Sequence, residues 1–532
     1  MMMGEVWRGQ KPLQTSLEGG GGHSPPPHSG PDETVKRGDM FKKILIANRG
    51  EIAVRVIRTC RDMGITSVAL YDASDQGSLH VRLADECVRL SSNLGYVDQE
   101  SILRYARETG ADAIHAGYGF LSEQPAFIRA CADAGVTFIG PTAEVVEQVK
   151  NKVATLERVA AAGFPTPRHS PRSYGEGELD ELRADAERIG YPLVVKSCSG
   201  GRGSGTRLIR TPAQLDEAVR QSHASSVAVF RDARLFLEQA ILPSRYVEVQ
   251  ILGDARGNLI TLGERDSSIQ RNNQKIVSES PAPYLSQARR EELWQTALQI
   301  ARLFGCQGAS SVEFVVDTDG HAYFTEIKPR IQVEHPVTEL ISGVDIVREQ
   351  IRAAAGEPLS IRQGDVHLRG SAMQCRVNAQ DPWNHFLPSP GTIELFRTPS
   401  GPHVRVDTYA YSGCEIPLRY DPIFAKIVVW GQDRGECVNR MGRALEECFV
   451  TGIQTNLAVL RSVFDDQDFL QGIYTTEFSR RPLIGKNAAP GELRDLAAIA
   501  AIAHALRSSG GRPSLPERVL SGWHQASRRL PN

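Results

Sequence analysis

From Ser311 to Glu339 the chain reads SVEFVVDTDGHAYFTEIKPRIQVEHPVTE. Two short runs rich in β-branched and aromatic residues, SVEFVV and AYFTEI, flank Asp319-Gly320, a strong two-residue hairpin signal. Counting outward from that turn places Thr318 opposite His321 and Glu313 opposite Glu326. Two carboxylates facing each other on one sheet face repel, unless water or a cation lies between them. Magnesium takes carboxylate oxygens and keeps phosphates among its other ligands. Lys328 falls on the same face as Glu326 by the strand period of two. Arg330, Gln332, Glu334 and His335 follow within a few residues. One hairpin arm thus offers metal ligands, an anion clamp and a candidate general base.

Several elements must position these groups. Residues 1–39 are rich in Gly, Pro, Ser and His and are expected to be disordered. From Lys42 the pattern is βαβ: KKILIAN, a helix over Glu51–Met63 stopped by Gly64, then the strands SVALYD, ADAIHA and VTFIG. This predicts a doubly wound α/β domain over 40–150, with no GxGxxG and so no dinucleotide site. The strand YPLVVK ends in Lys196. It runs into SCSGGRGSGTRLI, whose Gly200, Gly201, Gly203 and Gly205 form a loop able to bring amides close to phosphates. The loop lacks GK[ST] and precedes a strand rather than a helix, so it is not a P-loop. Further strands lead to the hairpin, and HLRGSAMQCRVNAQDP carries Arg376 on a strand.

EIKPRIQVEHPVTE resembles the signature of biotin carboxylases, members of the ATP-grasp superfamily. MFKKILIANRG, NRGEIA (48–53) and HAGYGFLSE (115–123) resemble the family's N-terminal domain. The resemblance covers about residues 40–485. It implies an α/β N-terminal domain at 40–150 and an ATP-grasp core at 151–365 with a glycine-rich lid at about 168–240. A mixed α+β C-terminal domain at 366–485 would follow; beyond it, the apolar run LAAIAAIAHAL in the tail at 486–532 is expected to form a helix that docks a partner. The implied activity uses ATP to activate bicarbonate as carboxyphosphate and carboxylates biotin carried on a separate protein. By the same resemblance Glu334 is the base for bicarbonate, Arg330 its bidentate clamp, and Lys275, Gln332 and the Val333 amide complete the anion pocket. Arg376 matches the residue that stabilises enolate-like biotin. Glu313 and Glu326 match the ligands of Mg2+ or Mn2+. Lys152 and Lys196, the hinge Glu238, Gln239, Ala240 and Ile241, and Tyr246, Gln270 and Asn273 match the nucleotide side. His335 is expected to be structural. Implied partners are a biotin carboxyl carrier protein, a carboxyltransferase subunit and a second copy of the chain.

The departures from the family pattern gather on the ATP side. Lys328 stands at the usual Asn position, Arg202 stands where the family has Gly and Ser204 where it has Arg in the glycine loop, and Tyr246 and Asn273 stand where bacterial members carry histidines. Asn151 and Gln380 replace acids. They motivate one rival reading, a non-catalytic paralogue. A second rival is an ATP-grasp ligase acting on a nucleophile other than biotin, against which Arg376 argues.

The bulk numbers exclude other classes. The 532 residues are 41% hydrophobic and 23% charged, as for a globular chain of several domains. A net charge of −2 argues against nucleic-acid binding. No apolar run approaches a membrane span. Nine scattered cysteines without a CxxC pair are expected to be buried free thiols in the cytoplasm.

Overall fold

The computed structural model describes residues 7–8, 40–198, 206–230, 232–271 and 273–481. The glycine loop and the tail expected from residue 486 lie outside the described residues.

The N-terminal domain is built on five parallel strands, β1 Lys43–Ile46, β2 Thr66–Tyr71, β3 Glu86–Arg89, β4 Ala113–His115 and β5 Thr137–Ile139. Their order is β3-β2-β1-β4-β5. The inner strands are buried along nearly their whole length because helices cover both faces of such a sheet. Trp7–Arg8, within the extension from which no structure was expected, pairs antiparallel with Cys87 and Glu86 of β3. The direction of winding reverses between β1 and β4, the crevice where open α/β sheets present their loops. There Asn48 donates to the carbonyls of Ala116 (2.7 Å) and Tyr118 (2.9 Å). Gly117 sits at φ +59°, and a Cβ on it would lie 2.9 Å from the Asn48 amide nitrogen. Only glycine lets the two loops approach this closely.

The stretch expected to form a lid folds as a small unit of its own. Strands β6 Leu193–Ser197, β7 Arg207–Ile209 and β8 Leu235–Gln239 form an antiparallel sheet with β6 in the middle. Its core joins Leu193, Val195 and Leu237 to Leu182, Ile189 and Val219 from two flanking helices.

The central sheet has eight strands: β9 Ser244–Gly253, β10 Leu259–Arg271, β11 Gln274–Ser280, β12 Gly308–Asp317, β13 Ala322–Lys328, β14 Ser371–Asn378, β15 Val404–Thr408 and β16 Ile423–Gly431. Their order is β13-β12-β9-β10-β11-β14-β16-β15. The sheet runs unbroken across the boundary expected near residue 365, since β11 pairs directly with β14. Alternation sorts the two faces. Val247, Val249 and Ile251 of β9, with Val312 and Phe314 of β12, pack on the helix Gln287–Leu303. Glu248, Gln250, Ser311 and Glu313 lie between them on the opposite face, and all four are buried.

The β12–β13 hairpin forms with Glu313 paired to Glu326, as expected, but by a different route. The turn is longer than the Asp319-Gly320 signal implies: Asp317 N–H bonds to the His321 carbonyl, and Val316 pairs with Ala322. Left uncorrected, that shift would set Thr325 opposite Glu313. The register instead jumps between Phe314↔Phe324 and Glu313↔Glu326, leaving Thr325 as an extra residue. Thr325 Oγ1 donates to the Glu313 carbonyl (3.1 Å). The bulge explains how Phe324 and Ile327, three apart, both reach the core while Glu326 joins Glu313.

Candidate active site

The buried polar face of the central sheet converges on Glu248. Its carboxylate accepts from Arg265 Nε (3.0 Å), Gln332 Nε2 (2.9 Å) and Lys275. Burial alone would raise this acid, yet Lys275 and Arg265 outweigh burial and hold it ionised, well below the usual carboxylate range. Arg265 is wholly buried and also donates to Gln250 (2.8 Å), Thr338 (2.7 Å) and Gln332. The network sets Lys275 between two acids, with Glu313 Oε1 3.1 Å away. Gln332 Nε2 reaches that oxygen as well, at 2.6 Å.

Glu313 and Glu326 form an asymmetric pair. Burial raises Glu313; Lys275 opposes this and Glu326 adds to it. Burial would raise Glu326 too, but Lys152 and Lys328 prevail and hold it well below its ordinary value. Lys328 Nζ lies 2.8 Å and Lys152 Nζ 3.5 Å from the same Glu326 oxygen. The Tyr246 hydroxyl donates to Glu313 Oε2 and lies 3.5 Å from Glu326 Oε1. Two carboxylates opposed across a strand pair, flanked by ammoniums, suit one divalent ion bound beside a polyphosphate.

Glu334 and Arg376 meet directly, the Arg376 Nη2 donating to Glu334 Oε1. Burial would raise the Glu334 carboxyl; Arg376 and then Lys275 overcome it, so the group is ionised in its resting state. Arg330 Nε lies 3.1 Å from Glu123 Oε2, which comes from the loop after β4 at the winding reversal. Asn456 holds the Arg376 backbone by donating to its carbonyl (2.9 Å). The Val333 carbonyl accepts from Lys426 (3.3 Å), the cross-strand partner of Arg376. His335 is fully buried, bonded through Nδ1 to the Gln332 carbonyl (2.8 Å), in keeping with a structural part.

On the nucleotide side, Lys196 of β6 bonds to Glu238 of β8, its neighbour in the lid sheet. In the segment that leaves β8, Gln239 N–H bonds to the Arg168 carbonyl and Ala240 N–H to that of Pro192, with Ile241 next in line. Gln270 and Lys275 are paired across the β10–β11 hairpin, whose turn holds Asn273 at φ +60°. Asparagine tolerates that left-handed conformation better than most side chains. Asn151 caps the helix Lys152–Ala161, accepting from Ala154 N–H (3.3 Å), and so fixes the start of the turn that carries Lys152. Gln380 accepts from Asn378 (3.1 Å) just beyond Arg376. Gly200, Gly201, Gly203 and Gly205, with Arg202 and Ser204, lie outside the described residues.

Sequence reading missed Glu248, Arg265, Glu123 and Lys426. Glu248 carried a signal: a charged residue inside an otherwise apolar alternating strand is rarely buried without a partner. Glu123 lay in a recognised motif, but its partner is 207 residues away.

Known proteins match most of the chain. Residues 40–146 match the biotin carboxylase N-terminal domain, 151–362 the carbamoyl-phosphate synthase L chain ATP binding domain, and 374–481 the biotin carboxylase C-terminal domain. A biotin carboxylase of Nostoc sp. is 44% identical over 442 residues, covering 82% of this chain and 98% of that one. The propionyl-CoA carboxylase alpha chain of Ruegeria pomeroyi is 40% identical over 518 residues, covering 91% of this chain and 76% of that one. Among solved structures, the biotin carboxylase domain dimer of Hydrogenobacter thermophilus 2-oxoglutarate carboxylase, in complex with MgADP, ADP and bicarbonate, superposes with a TM-score of 0.81. It is 41% identical and covers 83% of this chain and 98% of its own.

Proposed function

This chain belongs to the biotin carboxylase family, and from that premise we propose how its residues divide the ATP-dependent carboxylation of biotin. Bicarbonate is a poor nucleophile until it loses its proton. Glu334, ionised and buried, accepts that proton. Arg330, turned from Glu123 toward the anion, and Lys275 hold the bicarbonate oxygens as they attack the terminal phosphorus of ATP. Carboxyphosphate and ADP leave that step, and Lys152 and Lys196 meet the phosphates. Glu313 and Glu326 would hold a magnesium ion, which would supply positive charge against the phosphates. Arg376 holds negative charge at the biotin end. Its contact with Glu334 puts the proton acceptor for bicarbonate beside the biotin clamp, so the CO2 released when the C–O bond of carboxyphosphate breaks, with phosphate as leaving group, has little distance to travel to the biotin nitrogen. That contact is the observation that carries the reading.

Biotin arrives on a separate carrier protein, and a carboxyltransferase subunit passes the carboxyl group on. The relatives that are named subunits or chains of larger carboxylases support this. The free, mostly buried cysteines suit a reducing compartment such as the cytoplasm. No helix among the described residues is long and apolar enough to cross a membrane. The test is ATP cleavage by the full chain with and without bicarbonate and free biotin. Cleavage that requires bicarbonate and rises with biotin is expected. Cleavage indifferent to both would overturn the assignment.

A further inference from the structure

Glu326 binds more positive charge than one carboxylate needs. Two ammoniums, Lys152 and Lys328, share its Oε2. Both lysines are partly open to the cleft, at 19% and 14% side-chain exposure, so either head group can leave without dragging the backbone. Lys328 is the better tethered of the two. It ends β13, two residues beyond Glu326 on the same face, and its backbone pairs with buried Ser311.

A divalent ion bridging Glu313 and Glu326 must take Glu326 oxygens that these ammoniums now hold. Like charges so close together repel, so an arriving ion displaces an ammonium toward whatever anion is nearest. In a nucleotide site that anion is the polyphosphate. A second divalent ion on the far side of Glu326 would meet Lys328 itself.

We propose that Lys328 is a built-in cation of the polyphosphate site. It turns from Glu326 to the nucleotide phosphates when these arrive, whether or not one divalent ion binds between Glu313 and Glu326, and it occupies the position a second divalent ion would need. The chain therefore takes up nucleotide with a single divalent ion. This rests on the nucleotide-binding function argued above.

Mn2+ binding, counted by electron paramagnetic resonance with the non-hydrolysable analogue β,γ-methylene-ATP, tests it on the full chain, alongside calorimetry of ADP binding in EDTA. The native protein should bind one Mn2+ per nucleotide. Lys328→Asn should bind two and lose about tenfold in affinity for metal-free ADP, while Lys328→Arg should keep the native count. Two Mn2+ per nucleotide in the native protein would overturn the proposal and leave the proposed function standing. So would a Lys328→Asn variant with unchanged count and unchanged metal-free affinity. Failure of the native chain to bind nucleotide at all would overturn the function and this inference with it. The native count decides even if a variant fails to fold.

Discussion

Replacing Glu334 by Gln separates chemistry from architecture in this site. The side chain keeps its size and still offers Arg376 an oxygen acceptor, while the charge and the proton-accepting capacity go. A hydrogen bond to a charged group contributes about 1.5–3 kcal/mol and a neutral one about 0.5–1.5 kcal/mol, so the change should cost the fold only about 1 kcal/mol. Lys275 remains paired with Glu248 and Glu313, while Arg376, whose only carboxylate within 4 Å among the described residues is Glu334, keeps its charge against a neutral acceptor. General base catalysis contributes about 10²–10⁴-fold, or roughly 3–5 kcal/mol of barrier. Bicarbonate-dependent ATP cleavage, followed as ADP release, should therefore fall at least about a hundredfold, with thermal unfolding nearly unchanged. Bicarbonate-independent cleavage should be spared. A rate within a few-fold of native would refute Glu334 as the base. An unfolding midpoint depressed in step with the rate would instead make the Glu334–Arg376 pair a structural bridge.

Three further outcomes follow from other contacts. Arg376→Ala removes the largest charge holding Glu334 ionised, leaving burial to raise it; the acid limb of the pH–rate profile for ATP cleavage should move to higher pH, and biotin carboxylation should fall further than cleavage. A parallel loss of both with an unmoved limb would contradict the assigned roles. Glu123→Ala frees Arg330 from its only carboxylate within 4 Å among the described residues, so the KM for bicarbonate should change several-fold with little change in stability, as for a partly exposed pair; an unchanged KM would remove Arg330 from the anion pocket. Asp266 is pushed up to about 7 by burial, despite bonds from Ser268. Its protonated form therefore contributes stability that is full below its unfolded value near 3.8 and is lost as pH rises through about 7. Asp266→Asn should raise the unfolding midpoint at pH 8 by more than at pH 5, with about 4 kcal/mol as the upper limit; equal shifts at both pH values would show Asp266 ionised throughout.

The hairpin was legible because β-branched runs and a turn dipeptide are local signals, and parity counting named the right carboxylate pair. It misread how the pair is reached, since a lengthened turn and a bulge cancel and leave no trace in the count. Arg376 and Lys275 were legible only through family resemblance, and Glu334 was one of the candidate bases beside the hairpin until the resemblance singled it out. Their meeting depends on β11, β14 and the turn after β13 converging, which no local periodicity encodes. Lys328 was visible as a departure from the family pattern. Its shared hold on Glu326 with Lys152 was not, because Lys152 comes from a helix 174 positions earlier.

The extra residue at Thr325 divides the hairpin into two segments of opposite parity. On the tip side, even-numbered positions such as Phe324 face the core; on the root side, odd-numbered Ile327 does. The tip segment is thus a clamp phased for packing, and the root segment a shelf phased for charge, joined at a dislocation. Swapping the tip for a turn of another length should leave the acids in place as long as the dislocation is kept. A graft that restores strict alternation through the joint, with every side chain unchanged, would turn Glu326 into the hydrocarbon interior and Ile327 onto the charged shelf.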